Sequence, residues 1–492
     1  MSANRVVLER LTTGSAAFDR ILGGGIPARS VNVIAGQPGA GKTLFAIQML
    51  FALARQGKKG LYLTTLSEPS LKMLRYAQQF SFFDESLVGE GLVFADLGSV
   101  IRRGGADTTL NEIAARVERE APAVVVIDSF KALRDMHGDA ATVRAFVYDL
   151  AVHTAGWGAT SLLVGEYTED DISNNAEFAI ADGIIRFTNS RHELTAIREV
   201  EVLKLRGADY ATGAHFHEIT PQGLEFYPRV RGVDALSTES GTTQARSTSI
   251  LERVSTGVEG LDDMLGGGVP RGSATVVQGG TGTGKTLLGL EFLLAGARRG
   301  EPGILFMLEE TPAQLRAFTQ ALGWDLPTLE ERGLLTLSYV SPVELSPDRF
   351  LDRALRQIEE LGARRAVLDS LTSMALGVPS DRRFKELVYA IAKKFYARSV
   401  TLYMNMEVAD LLGSAHLSGH GISFAADNVI QLKYVELEGH LGRGISVLKA
   451  RGVRHANDVR RLSVENDGVR VGAAFEGLRG VLTGLPVPSG ES

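Results

Sequence analysis

Two segments of this sequence have the composition and spacing of a phosphate-binding loop. They read GQPGAGKT at 36–43 and GGTGTGKT at 279–286. In the pattern G-x-x-x-x-G-K-[ST], glycines let backbone N–H groups surround the phosphates, the lysine reaches the β and γ oxygens, and the hydroxyl can bind Mg²⁺. The sequence therefore predicts ATP and Mg²⁺ binding in both halves, with Lys42 and Lys285 also expected to act in catalysis. The residues predicted to bind ATP in the two loops are Gly36, Gly39, Gly41, Lys42, Thr43, Leu44, Gly279, Thr281, Gly282, Thr283, Gly284, Lys285, Thr286 and Leu287.

An aspartate ends an apolar run downstream of each loop. The runs read VVVIDS, with Asp128, and RAVLDS, with Asp369. A carboxylate at the end of a buried strand can hold the Mg²⁺ shell through water, although an isolated aspartate also suits a helix N-cap. Because the residue recurs in both halves, we predict that Asp128 and Asp369, with Thr43 and Thr286, form the Mg²⁺ sites.

Hydrolysis requires a carboxylate that deprotonates the attacking water. The second half has Glu309 and Glu310 in ILFMLEETP, although acids also suit the first turn of a helix. Aligned on the proline, the first half has leucine and serine at those positions, and only Glu68 follows, one position later. Either Glu68 takes the catalytic role, or the first half hydrolyses ATP slowly or only binds it. Glu309 could act on water or on a serine hydroxyl.

A pair of cations recurs in LKLRG, with Lys204 and Arg206, and in LKARG, with Lys449 and Arg451. If these segments are strands, alternation places both charges on one side. In a single domain this pattern indicates an exposed polar face. In a ring of subunits the same pair could reach a neighbour's γ-phosphate as an arginine finger.

The elements that must position these residues belong to a tandem repeat. RLTTGSAAFDRILGGGIPARSVNVIAGQPGAGKT from Arg10 aligns without a gap with RVSTGVEGLDDMLGGGVPRGSATVVQGGTGTGKT from Arg253. Strand-like apolar runs alternate with helix-length segments, which predicts an α/β fold with a mostly parallel sheet in each copy. We predict domains at 1–236 and 250–492, joined by a polar linker at 237–249.

Composition narrows the functional classes. The chain has 492 residues, no cysteine, and a net charge of −6 from 52 basic and 58 acidic residues. That balance argues against a protein that coats nucleic acid, and no apolar run is long enough to cross a membrane. A cytoplasmic location is expected. His215 and His217 alternate along one segment without an array of acids, so they do not indicate a metal site.

The chain resembles the KaiC family of tandem RecA-like ATPases. The resemblance rests on TTG…LGGG and STG…LGGG, both phosphate loops, EETP, both DS segments and both K-x-R-G segments. It implies two RecA-like domains per chain, stacked as two rings of a homohexamer with ATP between subunits. Lys204, Leu205, Arg206, Lys449 and Arg451 would then bind a neighbour's ATP, and His455 would lie near the nucleotide. The resemblance also implies a slow ATPase in the first ring, and autokinase and autophosphatase activity in the second.

The loop in which the family carries its phosphate acceptors departs from the family pattern. The family reads ISTITD there, whereas this chain reads ISFAAD at 422–427. Ser423 matches the acceptor serine, Phe424 replaces the acceptor threonine, and Ser418 falls on a further hydroxyl position. The resemblance allows a KaiB-like partner on the first ring. Because the chain ends at Ser492, soon after the last family-like segment, a KaiA-type activator is not expected.

Two other functions compete with a hexameric ATPase and serine autokinase. One is a regulatory scaffold in which ATP occupancy controls assembly and partner binding, which the missing acid pair of the first half favours. The other is a RecA-like DNA-binding ATPase, against which the negative net charge argues.

Overall fold

The computed structural model of the chain divides into two compact units, Met1–Arg229 and Val230–Ser492. The predicted linker at 237–249 lies outside the described residues. The structure describes residues 8–65, 70–135, 140–192, 195–230, 252–342, 345–378, 380–408, 422–437, 439–465, 468–481 and 487–488.

The first unit alternates strands and helices along the chain. Its strands are β1 (Arg10–Leu11), β2 (Ile26–Pro27), β3 (Val31–Gly36), β4 (Gly60–Thr64), β5 (Leu92–Asp96), β6 (Val124–Asp128), β7 (Thr160–Glu166), β8 (Gly183–His192), β9 (Thr195–Leu205), β10 (Ala214–Thr220) and β11 (Gly223–Tyr227). Its helices are α1 (Ala16–Ile21), α2 (Lys42–Ala54), α3 (Ser70–Ala77), α4 (Gly98–Glu120), α5 (Phe130–Asp135), α6 (Ala140–Trp157), α7 (Glu169–Asn174) and α8 (Ala176–Ile180).

Within the described residues, the first unit has one nine-stranded sheet in the order β11-β10-β9-β8-β3-β7-β6-β4-β5. The strands from β8 to β5 in this order are parallel, and β9, β10 and β11 are antiparallel additions. The carboxyl ends of β3, β4, β6 and β7 therefore meet at one edge, where α/β proteins bind their ligands.

The second unit repeats this alternation. Its strands are β12 (Arg253–Val254), β13 (Val269–Pro270), β14 (Ala274–Gly279), β15 (Gly303–Met307), β16 (Leu335–Tyr339), β17 (Arg365–Asp369), β18 (Thr401–Glu407), β19 (Asn428–Leu437), β20 (His440–Ala450), β21 (Arg460–Glu465), β22 (Gly468–Ala474), β23 (Leu478–Arg479) and β24 (Val487–Pro488). Its helices are α9 (Glu259–Met264), α10 (Lys285–Ala297), α11 (Pro312–Ala321), α12 (Leu326–Glu331), α13 (Pro347–Leu361), α14 (Leu371–Leu376) and α15 (Asp381–Ala397).

The described part of the second unit also has a nine-stranded sheet, ordered β16-β15-β17-β18-β14-β19-β20-β21-β22. The six strands numbered β14, β15, β16, β17, β18 and β19 form the parallel part of this sheet, and β20, β21 and β22 form the antiparallel part. Each strand of the nine-stranded sheet therefore has a counterpart in the first unit. The predicted α/β fold with a mostly parallel sheet in each copy is confirmed.

Strand β3 shows how the sequence produces this layered core. Its side chains alternate between the two faces of the sheet. Ile34 packs with Phe45 of α2 on one face, and Val33 packs with Ile113 and Phe146 on the other. All five are at most 4% exposed. Burying a side chain of this size contributes roughly 1.5–3 kcal/mol, so both faces of the central strand stabilise the unit.

Helix α10 carries the apolar segment TLLGLEFLLAGA and ends at Ala297. It is 13 residues long and packs inside the second unit, with Glu291 buried among its apolar residues. In the part of the chain that the structure describes, no helix has both the length and the hydropathy needed to cross a bilayer.

Candidate functional site

The phosphate loop of the first unit connects β3 to α2. Gly41 has a φ of 102°, a left-handed conformation that glycine adopts readily, and α2 begins at the next residue. Lys42 Nζ donates a hydrogen bond to the carbonyl oxygen of Gln37 at 2.7 Å, inside the loop. Burial lowers the pKa of the Lys42 ammonium, whereas Glu166 and Asp128 favour its charged form.

The predicted Mg²⁺ residues of the first unit lie side by side. Asp128 is the last residue of β6, and its Oδ2 accepts hydrogen bonds from Thr43 Oγ1 at 2.7 Å and from Tyr62 OH at 2.6 Å. A threonine hydroxyl and a carboxylate that approach each other beside a phosphate loop are the oxygen donors that suit Mg²⁺. The residues present therefore fit a magnesium ion.

The second unit reproduces this arrangement. Lys285 Nζ donates to the carbonyl oxygens of Gly279 at 3.0 Å and Gly280 at 2.8 Å. Thr286 Oγ1 donates to Asp369 Oδ2 at 2.6 Å. Burial lowers the pKa of Lys285 and raises the pKa of the Asp369 carboxyl, which also faces Glu309. A divalent cation would stabilise the charged carboxylate that burial disfavours, so these residues also fit Mg²⁺.

The other predicted loop residues belong to the same two strand–loop–helix segments. A cavity of about 810 Å³ beside the first loop is lined by Gly39, Gly41 and Leu44, and by apolar residues of α3 such as Tyr76. A cavity of this size is in the range of small-molecule sites. Gly36 ends β3, and the second loop includes Gly279 at the end of β14, followed by Thr281, Gly282, Thr283, Gly284 and the buried Leu287 of α10.

Sequence reasoning missed one carboxylate in each unit. Glu166 ends β7 and Glu407 ends β18, the strands directly beside β3 and β14. Glu166 lines the cavity of the first unit, and Glu407 accepts a hydrogen bond from the hydroxyl of Thr281 in the second loop. The corresponding strand segments TSLLVGE and TLYMNME both end in glutamate, so the repeat contained the information that could have identified them.

The predicted acid pair of the second unit follows β15 at the same edge. Glu309 Oε1 accepts hydrogen bonds from Ser370 Oγ at 2.5 Å and from Ser373 Oγ at 2.6 Å, which fix the orientation of the carboxylate. Glu310 is exposed, but partial desolvation and the nearby charges of Asp369 and Glu309 raise the pKa of its carboxyl. A fixed carboxylate beside an ATP-binding loop can accept a proton from water or from a hydroxyl.

The first unit differs at this point. Glu68 lies outside the described residues. Ser129 follows Asp128 as Ser370 follows Asp369, but Ala132 occupies the position of Ser373. The first unit therefore retains only one of the two hydroxyls that orient the carboxylate in the second unit.

The predicted cations lie at the opposite edge of each sheet from the loop of their own unit. Leu205, the last residue of β9, pairs with Gly183, which pairs with Asn32. Asn32 precedes Gly36 by four residues, which is about 13 Å along a strand. Arg206 is the first residue after β9, so the strand ends one residue earlier than the sequence predicted.

The same register occurs in the second unit, where Ala450 pairs with Asn428 and Asn428 with Thr275. Lys449 Nζ donates to the carbonyl of Ala426 at 2.6 Å. Arg451, just after β20, is 74% exposed and lies 3.9 Å from Asp427.

Corresponding contacts hold the cations of the first unit. Lys204 Nζ donates to the carbonyl of Ala179 at 3.2 Å, and Arg206 lies 3.4 Å from Asp182 with 63% of its side chain exposed. The structure therefore brings neither pair to the phosphate loop of its own unit. Both arginines lie at a surface where a second chain could meet them.

The predicted acceptor loop is partly described. Ile422–Phe424 forms a short 3₁₀ turn that contains Ser423, and Ser418 lies outside the described residues. Phe424 is 56% exposed and stacks on Tyr389 of α15, with ring centroids 6.1 Å apart. An aromatic ring therefore stands on the surface directly beside the candidate acceptor serine.

The predicted histidine contacts are local. His455 is half-buried, and its Nδ1 lies 3.1 Å from the carbonyl oxygen of Ala456, in the segment after β20. His215 and His217 are both buried in the first unit. Among the described residues, no group of three or more histidine, aspartate and glutamate side chains is arranged to hold a metal.

Comparison with known proteins agrees with the duplicated architecture. The model of the family described as "ATPase: KaiC" matches residues 11–231 and 254–476. Circadian clock protein KaiC3 of Synechocystis sp. is 30% identical over 99% of this chain and 96% of its own length. Circadian clock oscillator protein KaiC of Acaryochloris marina is 29% identical over 98% of this chain and 92% of its own length. Because both units are α/β domains whose nine-stranded sheets have the same strand order, the chain has two tandem RecA-like domains and belongs to the KaiC family of ATPases.

Proposed function

We propose that this protein is a KaiC-like homohexameric ATPase whose second unit also phosphorylates and dephosphorylates its own serine, and that it works as a clock- or timer-type regulator. The carrying observation is the twin arrangement of loop lysine, threonine and strand-end aspartate at the carboxyl edge of both sheets. The relatives named as circadian clock proteins support the regulatory role. A KaiB-like partner fits this proposal. Native mass spectrometry with Mg-ATP tests it, since a hexamer is expected and a persistent monomer would contradict assembly.

ATP would be bound by the two loops, with Lys42 and Lys285 facing the β and γ phosphates. Thr43 with Asp128, and Thr286 with Asp369, would hold Mg²⁺, which neutralises charge that develops on the phosphates. Glu309 would accept the proton of the attacking hydroxyl. Its two serine hydrogen bonds favour it as the base, although the raised pKa of Glu310 makes that residue the alternative acceptor.

The position of the cations supports the proposed assembly. Arg206 and Arg451 lie about 13 Å or more from the end of the loop strand in their own sheet, measured along the strands. In a head-to-tail ring, each subunit presents this edge to the next subunit's nucleotide. ATP would then lie between subunits. The neighbouring subunit would contribute Lys204 and Leu205 to the nucleotide of the first unit, and Lys449 and His455 to that of the second.

The autokinase step would transfer the γ-phosphoryl group to Ser423. The serine Oγ forms a bond to the γ-phosphorus as the bond to the β–γ bridging oxygen breaks, ADP leaves, and a carboxylate takes the hydroxyl proton. The reverse transfer, or attack by water on the phosphoserine, would remove the group.

Asp369→Asn is expected to raise the Mg²⁺ concentration needed for half-maximal turnover about 10- to 100-fold, because the amide keeps the shape but loses the charge that holds the metal shell. The measurement is a Mg²⁺ titration of ATPase rate in chains that carry Lys42→Ala, so that only the second unit contributes. Asp427→Asn, which removes a carboxylate at the opposite edge of the sheet, is the control. An unchanged Mg²⁺ requirement in Asp369→Asn would contradict the metal assignment.

Ser423→Ala is expected to abolish the phosphate that the wild-type chain gains on incubation with Mg-ATP. Intact mass spectrometry after denaturation measures the gain, and Ser418→Ala is the matched variant. Because Phe424 leaves no hydroxyl at the neighbouring position, one phosphate per chain is expected rather than two. If Ser423→Ala keeps its phosphate and Ser418→Ala loses it, the acceptor is Ser418.

A regulatory scaffold without autokinase activity is the second candidate. It is favoured by the aromatic Phe424 where the family carries a threonine, and by Ala132 in the first unit. A wild-type chain that hydrolyses ATP in the second unit but gains no phosphate would support this alternative.

A further inference from the structure

A buried histidine lies beneath the phosphate loop of the first unit. His217 is on β10, the second strand from the edge of the sheet, and is 0% exposed. Its ring stacks on Phe226, with ring centroids 5.7 Å apart, and makes a T-shaped contact with Phe187, with ring centroids 5.2 Å apart. Its Nε2 is 3.0 Å from the carbonyl oxygen of Ala40, inside the loop. The Ala40 contact thus joins the antiparallel part of the sheet to the loop.

The protonation of the ring follows from its surroundings. Burial lowers the pKa of His217 to about 4, so the imidazole is neutral at physiological pH and carries one N–H group. Because Nε2 faces a carbonyl oxygen, the proton is on Nε2, and Nε2 is the donor. Nδ1 has no hydrogen-bond partner among the described residues. The single N–H group of this buried ring is therefore directed to the phosphate loop.

The Ala40 contact fixes the orientation of one peptide unit. The carbonyl of Ala40 and the N–H of Gly41 belong to the same planar group, and in a trans peptide they point in opposite directions. A donor beneath the loop that holds the carbonyl oxygen turns the Gly41 N–H away from the sheet. In a phosphate-binding loop that is the side on which the backbone N–H groups meet the phosphates.

A second buried contact fixes the same hairpin of β10 and β11. Gln48 of α2 accepts a hydrogen bond from Leu224 N at 2.7 Å and donates one to Leu224 O at 3.2 Å. The Leu224 side chain in turn lies beside Gly41, with its Cδ2 3.2 Å from the place that a Cβ would occupy. The β10–β11 hairpin is thus anchored to α2, the helix that follows the phosphate loop. This anchor fixes the position of His217 relative to Ala40.

The second unit lacks this donor. The β10–β11 hairpin pairs Thr220 with Gly223, and the corresponding β21–β22 hairpin of the second unit pairs Glu465 with Gly468. His217 and Leu462 each lie three residues before the first member of these pairs, so Leu462 occupies the position of His217. Leu462 is buried, 6% exposed, and has no polar side-chain atom. The two phosphate loops therefore rest on chemically different supports.

We propose that His217 is a positioning residue for nucleotide binding in the first unit, which orients the Ala40–Gly41 peptide for a phosphate and makes this site bind ATP differently from the second. The inference rests on the proposed function, because it assumes that the first loop binds ATP. It assigns no role in the chemical step to His217, since the ring does not reach the phosphates.

The test uses full-length chains that carry Lys285→Ala, so that a fluorescent ATP analogue reports mainly on the first unit. His217→Leu, which copies the second unit, is expected to raise the Kd about fivefold, since a lost neutral hydrogen bond to a buried carbonyl has an effect of this order. His217→Gln returns an N–H group to a similar position and is expected to bring the Kd back to within about twofold of the parent. His217→Phe, which keeps the aromatic stacking without a donor, replaces the leucine variant should that variant not fold.

Phe226→Leu is the control for packing. It loosens the same aromatic cluster but removes neither His217 Nε2 nor the Ala40 carbonyl, so it is expected to lower the thermal midpoint but leave the Kd unchanged. The role of His217 is overturned if His217→Gln binds as weakly as His217→Leu, or if Phe226→Leu weakens binding equally. A Lys285→Ala parent that binds no analogue would instead overturn the proposed function of the first unit, whatever the variants do.

Discussion

Glu309→Gln is expected to lower ATP turnover by the second unit about 100-fold or more, which is the usual contribution of a general base. The amide still accepts the hydrogen bonds of Ser370 and Ser373, so the position of the side chain is preserved while its ability to take a proton is lost. ATPase rate in chains that carry Lys42→Ala isolates the second unit. ATP affinity is expected to stay within about twofold, since removing a base affects the transition state rather than ground-state binding.

The matched control is Glu310→Gln at the adjacent position. Its carboxyl has a raised pKa, but among the residues that the structure describes no hydroxyl pair fixes it as Ser370 and Ser373 fix Glu309. We expect a loss of about tenfold or less, because the general base contributes most when it is held in place. If Glu310→Gln is the more damaging change, the base is Glu310; if neither variant slows turnover, both catalytic assignments are wrong.

The sequence predicted the parts of the site that lie on one local element or recur in a known pattern. The loop lysines and threonines follow from a contiguous motif, and Asp128 and Asp369 from apolar runs that end in an acid in both copies. Strand–helix alternation was enough for the fold class. Such features depend on chemistry within about ten residues of chain, which periodicity and motif spacing capture well.

Contacts between distant strands could not be predicted in the same way. Glu166 and Glu407 approach the loops only because β7 lies beside β3 and β18 beside β14, and strand order is not written in any one strand. The same holds for His217, whose partner Ala40 is 177 residues away. Alternation along β10 indicated only that His217 lies on the same face of the strand as His215. The serine hydrogen bonds of Glu309 likewise join two separate strand ends.

The acceptor region shows a further limit. Phe178 and Phe424 align in FAIAD and FAAD, yet Phe178 is 5% exposed and Phe424 is 56% exposed. In the first unit Glu177 precedes the phenylalanine and forms a buried ion pair with Arg134 at 3.2 Å, where the second unit has Ser423. The difference depends on which neighbours each loop meets, and sequence alignment alone gives no measure of that.

Arg451→Ala is expected to lower turnover by the second unit roughly a thousandfold, the effect of removing an arginine finger from a phosphoryl-transfer site. The Arg451 side chain is 74% exposed, and among the described residues its ion-pair partner is Asp427, at 3.9 Å, so the change should leave the fold intact. Arg454→Ala, an exposed arginine of the same segment, is the control and is expected to keep near-normal activity. ATPase rate in the Lys42→Ala background measures both.

The decisive arrangement is a mixed ring. Glu309→Gln and Arg451→Ala chains, each nearly inactive alone, are coexpressed so that they assemble together. If Arg451 serves the neighbour's nucleotide, a site with Glu309 from one chain and Arg451 from the next is intact, and about a quarter of the sites in a random head-to-tail ring meet that condition. If Arg451 served its own chain's ATP, every site would carry one lesion and the mixture would stay inactive. Recovery of activity therefore requires a ring in which Arg451 of one subunit reaches the nucleotide site of the next. If hexamers form but activity does not recover, the opposite edge of the sheet does not complete the neighbour's site.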